Sequence, residues 1–382
     1  MHLWPDHTPK VDNPSNAFVA PEVTFHKAKV EAVQPACGST SEQYSGAQPS
    51  EPGLGEAPAA PTCGRVATTV QSGTMKGKKV LVPVAPEVSR SGLRQDDVLE
   101  LMQTPAAKGA PSTLSLFSVQ RDAPLGLLAG LFVLVVALVA RLRGLLALVG
   151  LGVAGYILVA FMLPALLDGK PGLGVAVVGS SAIMYVVLYL AHGVSVRTSA
   201  ALAGTLAGIG ITALIVLTAV PQARLSGIAD ESGALLSGFV HEINFQGLLT
   251  CAVIVAGLGV LNDVTITQAS AAWELRGAAP DLSRRDLFGR AMRIDKDHIA
   301  STIYTIVFAY AGAALSVLLL LYFYERPILS LVSTEEISEE LVRTLASGIG
   351  LVLAVPITTA IAVLTVAGMS SRRPQGRRSI PT

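Results

Sequence analysis

The chain of 382 residues is 51% hydrophobic and only 14% charged, with a formal net charge of +1. A soluble domain carries about 25% charged residues, so a soluble enzyme, a disordered chain and a disulfide-rich secreted module are all disfavoured. The near-zero net charge also argues against nucleic acid as a partner.

The charge is unevenly spread. Residues 1–123 hold 11 Lys/Arg and 12 Asp/Glu and no long apolar run. Residues 1–21 carry no periodic pattern, and 22–112 read as a small β-rich domain. Within it, Glu22 to Pro35 alternate apolar and polar as a strand does, and Val66 to Gly73, Lys79 to Ala85 and Asp97 to Met102 give further strands of a barrel or meander. Residues 38–62 are rich in Pro, Gly and Ser and predict a loop inserted without regular structure. Cys37 and Cys63 flank that insert, and an even pair on an outer face predicts a disulfide closing the loop at its base.

From residue 124 onward the chain is almost continuously apolar. A helix crossing the ~30 Å hydrocarbon core needs about 20 apolar residues. Seven stretches within 124–369 meet that need: 124–140, 144–166, 173–193, 199–220, 246–269, 298–324 and 342–369. The expected fold class is therefore an all-α membrane bundle of seven transmembrane helices carrying a small extracytoplasmic β domain. Residues 370–382 form a basic tail.

Lys/Arg in short loops mark the cytoplasmic side. Alternate connections hold thirteen of them, among them Arg141, Arg143, Arg197, the 276–296 loop and the tail; the opposite set holds three, Lys170, Arg224 and Arg326. This predicts a protein of the bacterial cell membrane with a cytoplasmic C-terminus and residues 1–123 outside. A domain of that size needs a leading signal to cross. Met1-His-Leu-Trp-Pro5 reads as the end of a helix, so an eighth, N-terminal helix is expected upstream.

The fifth apolar segment carries the most unusual residues. Asp263, Thr267, Ser270 and Glu274 share one helical face, with Asn262 beside them. A carboxylate in hydrocarbon costs at least ~2.5 kcal/mol and normally faces a cavity or a partner. The sixth segment presents His298, Ser301, Thr302 and Thr305 from the same side, so Ser301 and Thr305 are expected opposite Asp263. Asp263, Asn262, Thr267, Ser301 and Thr305 are thus the candidate proton- or ion-handling residues. The alternative is a structural polar lock between helices. Leu282 to Ile294 read as an amphipathic helix on the inner leaflet, with Leu287, Ala291 and Ile294 on its apolar face. Gly204 and Gly208 form a small-xxx-small packing motif. No metal-ligand spacing, phosphate loop or nucleophile motif is present, so neither a cofactor nor an enzymatic activity is expected.

Two stretches carry a resemblance: Gly257 to Leu275 (GLGVLNDVTITQASAAWEL) and Asp297 to Gly312 (DHIASTIYTIVFAYAG). They resemble the YibE/F family in the form found in actinobacteria. The resemblance covers most of the chain and implies a helix ending near Trp-Pro, an extracytoplasmic domain and a helical block, with no established activity. A shorter stretch around Asn262-Asp263 is similar to SecD/SecF and the resistance-nodulation-division permeases, in which an intramembrane Asp takes part in proton-coupled work. Two functions follow as expectations. One is a transporter-like or proton-coupled component, working in the lipid bilayer on protons or a small ion or solute. The other is a non-catalytic envelope scaffold whose β domain binds another extracytoplasmic protein, or a homo-oligomer.

Overall fold

A computed structural model describes residues 3–5, 23–35, 63–104, 113–240, 243–323, 327, 330 and 332–366. The chain divides into two units, Val11–Leu131 and Met1–Lys10 with Phe132–Thr382. The insert 38–62 and the tail 370–382 lie outside the described residues.

The first unit holds a five-stranded antiparallel sheet: β1 (Thr24–Val33), β2 (Arg65–Val70), β3 (Lys79–Pro83), β4 (Val98–Thr104) and β5 (Thr113–Val119), in the order β3-β2-β1-β4-β5. A one-turn helix α1 (Pro86–Arg90) follows β3. The sheet curls, and its edge strands β3 and β5 approach each other. Alternation sends Ala28, Val30, Val66, Val70, Val82, Leu99 and Leu101 inward as one apolar core. The fifth strand lies beyond the expected boundary at residue 112, and it extends the sheet along β4 from Thr104↔Thr113 to Leu99↔Val119. His26 also takes an inward position, 4% exposed. Its Nδ1 donates to the Ser72 carbonyl at 3.2 Å, and its Nε2 faces Gln103 Oε1 at 2.9 Å and Thr24 Oγ1 at 3.0 Å. Gly73, at φ +74, lies over the His26 ring, where a Cβ would collide with it. Cys63 is disulfide-bonded; Cys37, its expected partner, lies outside the described residues.

The second unit is helical. Its elements are α2 (Asp122–Ile157) from Phe132 onward, running through a π turn (Leu158–Met162) into α3 (Leu163–Leu167), then α4 (Gly172–His192), α5 (Val196–Gln222), α6 (Glu231–Phe239), α7 (Phe245–Ala278), α8 (Arg284–Ala313), α9 (Leu315–Phe323) and α10 (Glu335–Val366). Caps mark several starts. Ser195, Asp230, Asn244 and Ser283 each accept from a backbone N–H three residues on, which satisfies donors a helix leaves open.

Five helices among the described residues are long and apolar enough to span a membrane, and six if the bent pair α8 and α9, at 64°, makes one span. The sequence reading gave seven. The difference lies in the run Asp122–Leu167, one element of 46 residues that covers the first two expected segments. It is broken at Arg141, with φ 52 and ψ −139. At that break the Val136 side chain packs against Gly144, although a straight helix would hold residues eight apart at about 12 Å. The apolar stretch of this run buries none of its residues.

The core is built where α5, α7 and α10 pack on one another, with α4 and α8 against α7. Small residues set how close they come. Gly204 and Gly208 of α5 meet Thr358 and Ala354 of α10, Gly208 also meets Leu261 of α7, and Gly350 of α10 meets Thr212 of α5. The expected packing motif is thus the α5–α10 contact itself. These pairs run α5 against the direction of α10. Ser347 against Val253 and Thr359 against Gln268 run α7 parallel to α10.

Candidate functional site

The helical core is not uniformly apolar. Thr205 and Thr265 hydroxyls meet at 2.7 Å between α5 and α7. Gln268 Nε2 of α7 donates to Thr359 Oγ1 of α10, and Thr359 touches Met292 Sδ of α8 at 3.5 Å. Most hydroxyls in this row also donate to their own helix four residues back, as Thr265 does to Leu261 and Thr359 to Val355, which keeps them satisfied away from water.

Asp263 lies one to two turns before Gln268 on α7, on the exposed side of the helix. Its Oδ2 is 3.6 Å from His298 Nε2 of α8, with the two side chains 62% and 37% exposed. Among the described residues this is the contact its carboxylate makes. Thr267 is exposed on the same face and donates to the Asp263 carbonyl. Asn262 turns inward, and its Oδ1 is buried without a hydrogen-bond partner.

The expected partners are arranged differently. Ser301 and Thr305 both lie on the exposed side of α8, and Thr305 donates to the Ser301 carbonyl at 3.1 Å. Among the described residues neither bonds the Asp263 side chain. The residue that meets Asp263 is His298, one turn before Ser301, which the sequence reading assigned to the surface beside Asp297.

The structure also buries a carboxylate the sequence reading passed over. Asp295 of α8 is 3% exposed, and its Oδ2 has no hydrogen-bond partner. The interior stripe of α8 is Leu287, Ala291, Asp295, Thr302 and Ile306. Ile294, expected on the apolar face, is 54% exposed instead. A strict four-residue step from Leu287 through Ala291 would have pointed to Asp295. The apolar character of Ile294 drew the face one residue too early. Leu282 to Ile294, expected as a separate interfacial helix, instead run from Arg284 without a break into the following stretch as α8.

Apolar helices of spanning length around a core that buries a carboxylate and amides make this a membrane protein. The chain belongs to the YibE/F-like protein family, whose match covers residues 128–368. No curated protein and no solved structure matches it.

Proposed function

We propose that the protein is a proton-coupled, permease-like component of the bacterial cell membrane. The observation that carries this reading is the Asp263–His298 pair at 3.6 Å, a carboxylate and an imidazole facing each other across two helices of the apolar unit. Histidine changes charge near neutral pH, and ionisable groups inside membrane helices characteristically mark proton and ion pathways. In this reading Asp263 exchanges the proton, with Asn262, Thr267, Ser301 and Thr305 as its polar surroundings.

The orientation belongs to the same proposal, with seven spans, residues 1–123 outside and the C-terminus in the cytoplasm. The thirteen-to-three Lys/Arg bias supports it. So does the packing, since α5 antiparallel and α7 parallel to α10 gather Arg197, Arg276 and Arg284 at one end of the unit.

The test is Asp263→Asn, which keeps size and hydrogen bonding and deletes the charge. The full chain is reconstituted in lipid vesicles holding a pH-sensitive dye, and an imposed potassium potential drives proton entry. The expected result is entry with the unaltered chain, lost in Asp263→Asn at equal protein level. Equal entry in both, or none in either, overturns the reading.

A scaffold is the second reading. Phe25 and Phe117 of the β domain form an exposed edge-to-face pair at 4.8 Å, and exposed apolar surface of this kind supports docking of another envelope protein. Photo-crosslinking from position 117 would capture that partner or a second copy.

A further inference from the structure

We propose that Asp295 is the interior proton-binding group of this protein, and that His298 passes protons between it and Asp263. This rests on the proton-coupled reading and extends it to a residue that the sequence did not single out.

Three groups stand in line. Asp263 of α7 faces His298 of α8 at 3.6 Å. Asp295 precedes His298 by three residues on the same helix, so the two side chains are neighbours on its surface. Exposure falls along the line, from 62% for the Asp263 side chain and 37% for that of His298 to 3% for Asp295. The line therefore leads from the outer face of the helices into the core. Two further buried oxygens of α7 have no hydrogen-bond partner, Asn262 Oδ1 next to Asp263 and Gln268 Oε1 five residues beyond it. The Gln268 amide is fixed by Thr359, and Thr359 touches Met292, one turn before Asp295.

The chemistry follows from what the site lacks. An ionised carboxylate in an apolar interior needs a cation or several donors. Among the described residues Asp295 forms no ion pair. On α8 the titratable neighbour on its own side is His298, while Arg293, Lys296 and Asp297 are exposed. On α7 the adjacent turn brings Asn262 and Asp263. On α10 the turns around Thr359 carry no charged side chain. A proton on Oδ2 converts the unpartnered acceptor into a donor. His298 can accept a proton from either carboxyl group and deliver it to the other, so each transfer leaves the charge balanced across the three.

Infrared spectroscopy reads this directly, because a protonated carboxylic acid has a carbonyl band that shifts when its hydrogen is replaced by deuterium. The full chain, carrying isotope-labelled aspartate, is placed in lipid bilayers and moved between ordinary and heavy water. We expect a protonated aspartic-acid band that is reversible with pH, persists in Asp263→Asn and disappears in Asp295→Asn. In His298→Gln the band remains, and its deuterium exchange slows by about 100-fold. Should Asp295→Asn not accumulate, Asp295→Glu must move the band from the aspartate-labelled to the glutamate-labelled set. No aspartic-acid band, a band untouched by either change at Asp295, or exchange at the normal rate in His298→Gln overturns the proposal. A chain that passes no protons in vesicles yet shows the Asp295 band and its His298 dependence loses the coupled-transport reading and keeps the proton site. Proton entry without the band does the reverse.

Discussion

Gly204 of α5 lies against the hydroxyl of Thr358 on α10, with no room for a side chain between them. That approach lets the two helices pack backbone to backbone, the arrangement small residues make possible in membrane helices. Gly204→Leu should force α5 and α10 apart and cost about 1–3 kcal/mol. Gly210→Leu, two turns along on a side where nothing lies within 4 Å, should be silent. Thermal unfolding of the two variants in detergent checks the contrast, and equal melting temperatures would refute it.

Gln268 and Thr359 should respond unequally. Thr359→Val strips the Gln268 amide of the one acceptor it has among the described residues, leaving a buried polar group unpaired at a cost of about 1–3 kcal/mol. Gln268→Leu leaves Thr359 still bonded to the Val355 carbonyl and removes an amide oxygen that is already unpartnered. The second change should therefore cost less, and the double variant should recover part of the first loss. A double-mutant unfolding cycle measures it.

In the β domain, Gly73→Ala meets two penalties, a left-handed backbone at φ +74 and the His26 ring. We expect about 1–3 kcal/mol of local destabilisation. Gly77 also has a positive φ, +83, but open space around it, so Gly77→Ala should cost only about 1–2 kcal/mol. Amide hydrogen exchange over β1, β2 and the turn between β2 and β3 would rank the two.

Glu31 gives an acid dependence. The Thr69 hydroxyl and Lys79 ammonium bond its carboxylate and hold it below the ordinary carboxylate range. A lowered folded value means that the contribution is present above the unfolded value, about 4.3. It is lost as pH falls through the folded one. Amide exchange in β1–β3 of the intact chain should therefore be slower than in Glu31→Gln at neutral pH, and the gap should close on acidification. A gap that widens on acidification would refute this.

Much of the fold was legible because its signals are local. Strand alternation identified β1 to β4, and runs of Leu, Val and Ala marked the apolar helices, although two expected segments fall within the one run Asp122–Leu167. β5 was missed because Thr113 to Val119 fall in the short interval between the expected end of the β domain at 112 and the first apolar run at 124. The packing glycines of α5 were readable from a four-residue spacing. The site was only partly readable. Asp263 stood out because charge is scarce around it, but its partner depends on how α7 and α8 rotate against each other. That rotation brings His298 to Asp263 and turns Ser301 and Thr305 outward. Asp295 was hidden by its company, since Arg293, Lys296 and Asp297 make its stretch look aqueous while the helix turns this one residue inward.

The most apolar stretch of the run Asp122–Leu167 buries none of its residues, and Leu127 and Val139 are 77% and 80% exposed. Such a segment answers to the medium around it, which distinguishes hydrocarbon from water but not leucine from isoleucine. Two chains of this kind could drift apart at nearly every position of that exposed stretch while keeping Gly204, Gly208, Gly350 and Thr358 in place. Divergence there would record only the oiliness of the surroundings, and kinship would have to be read from the three helices that touch.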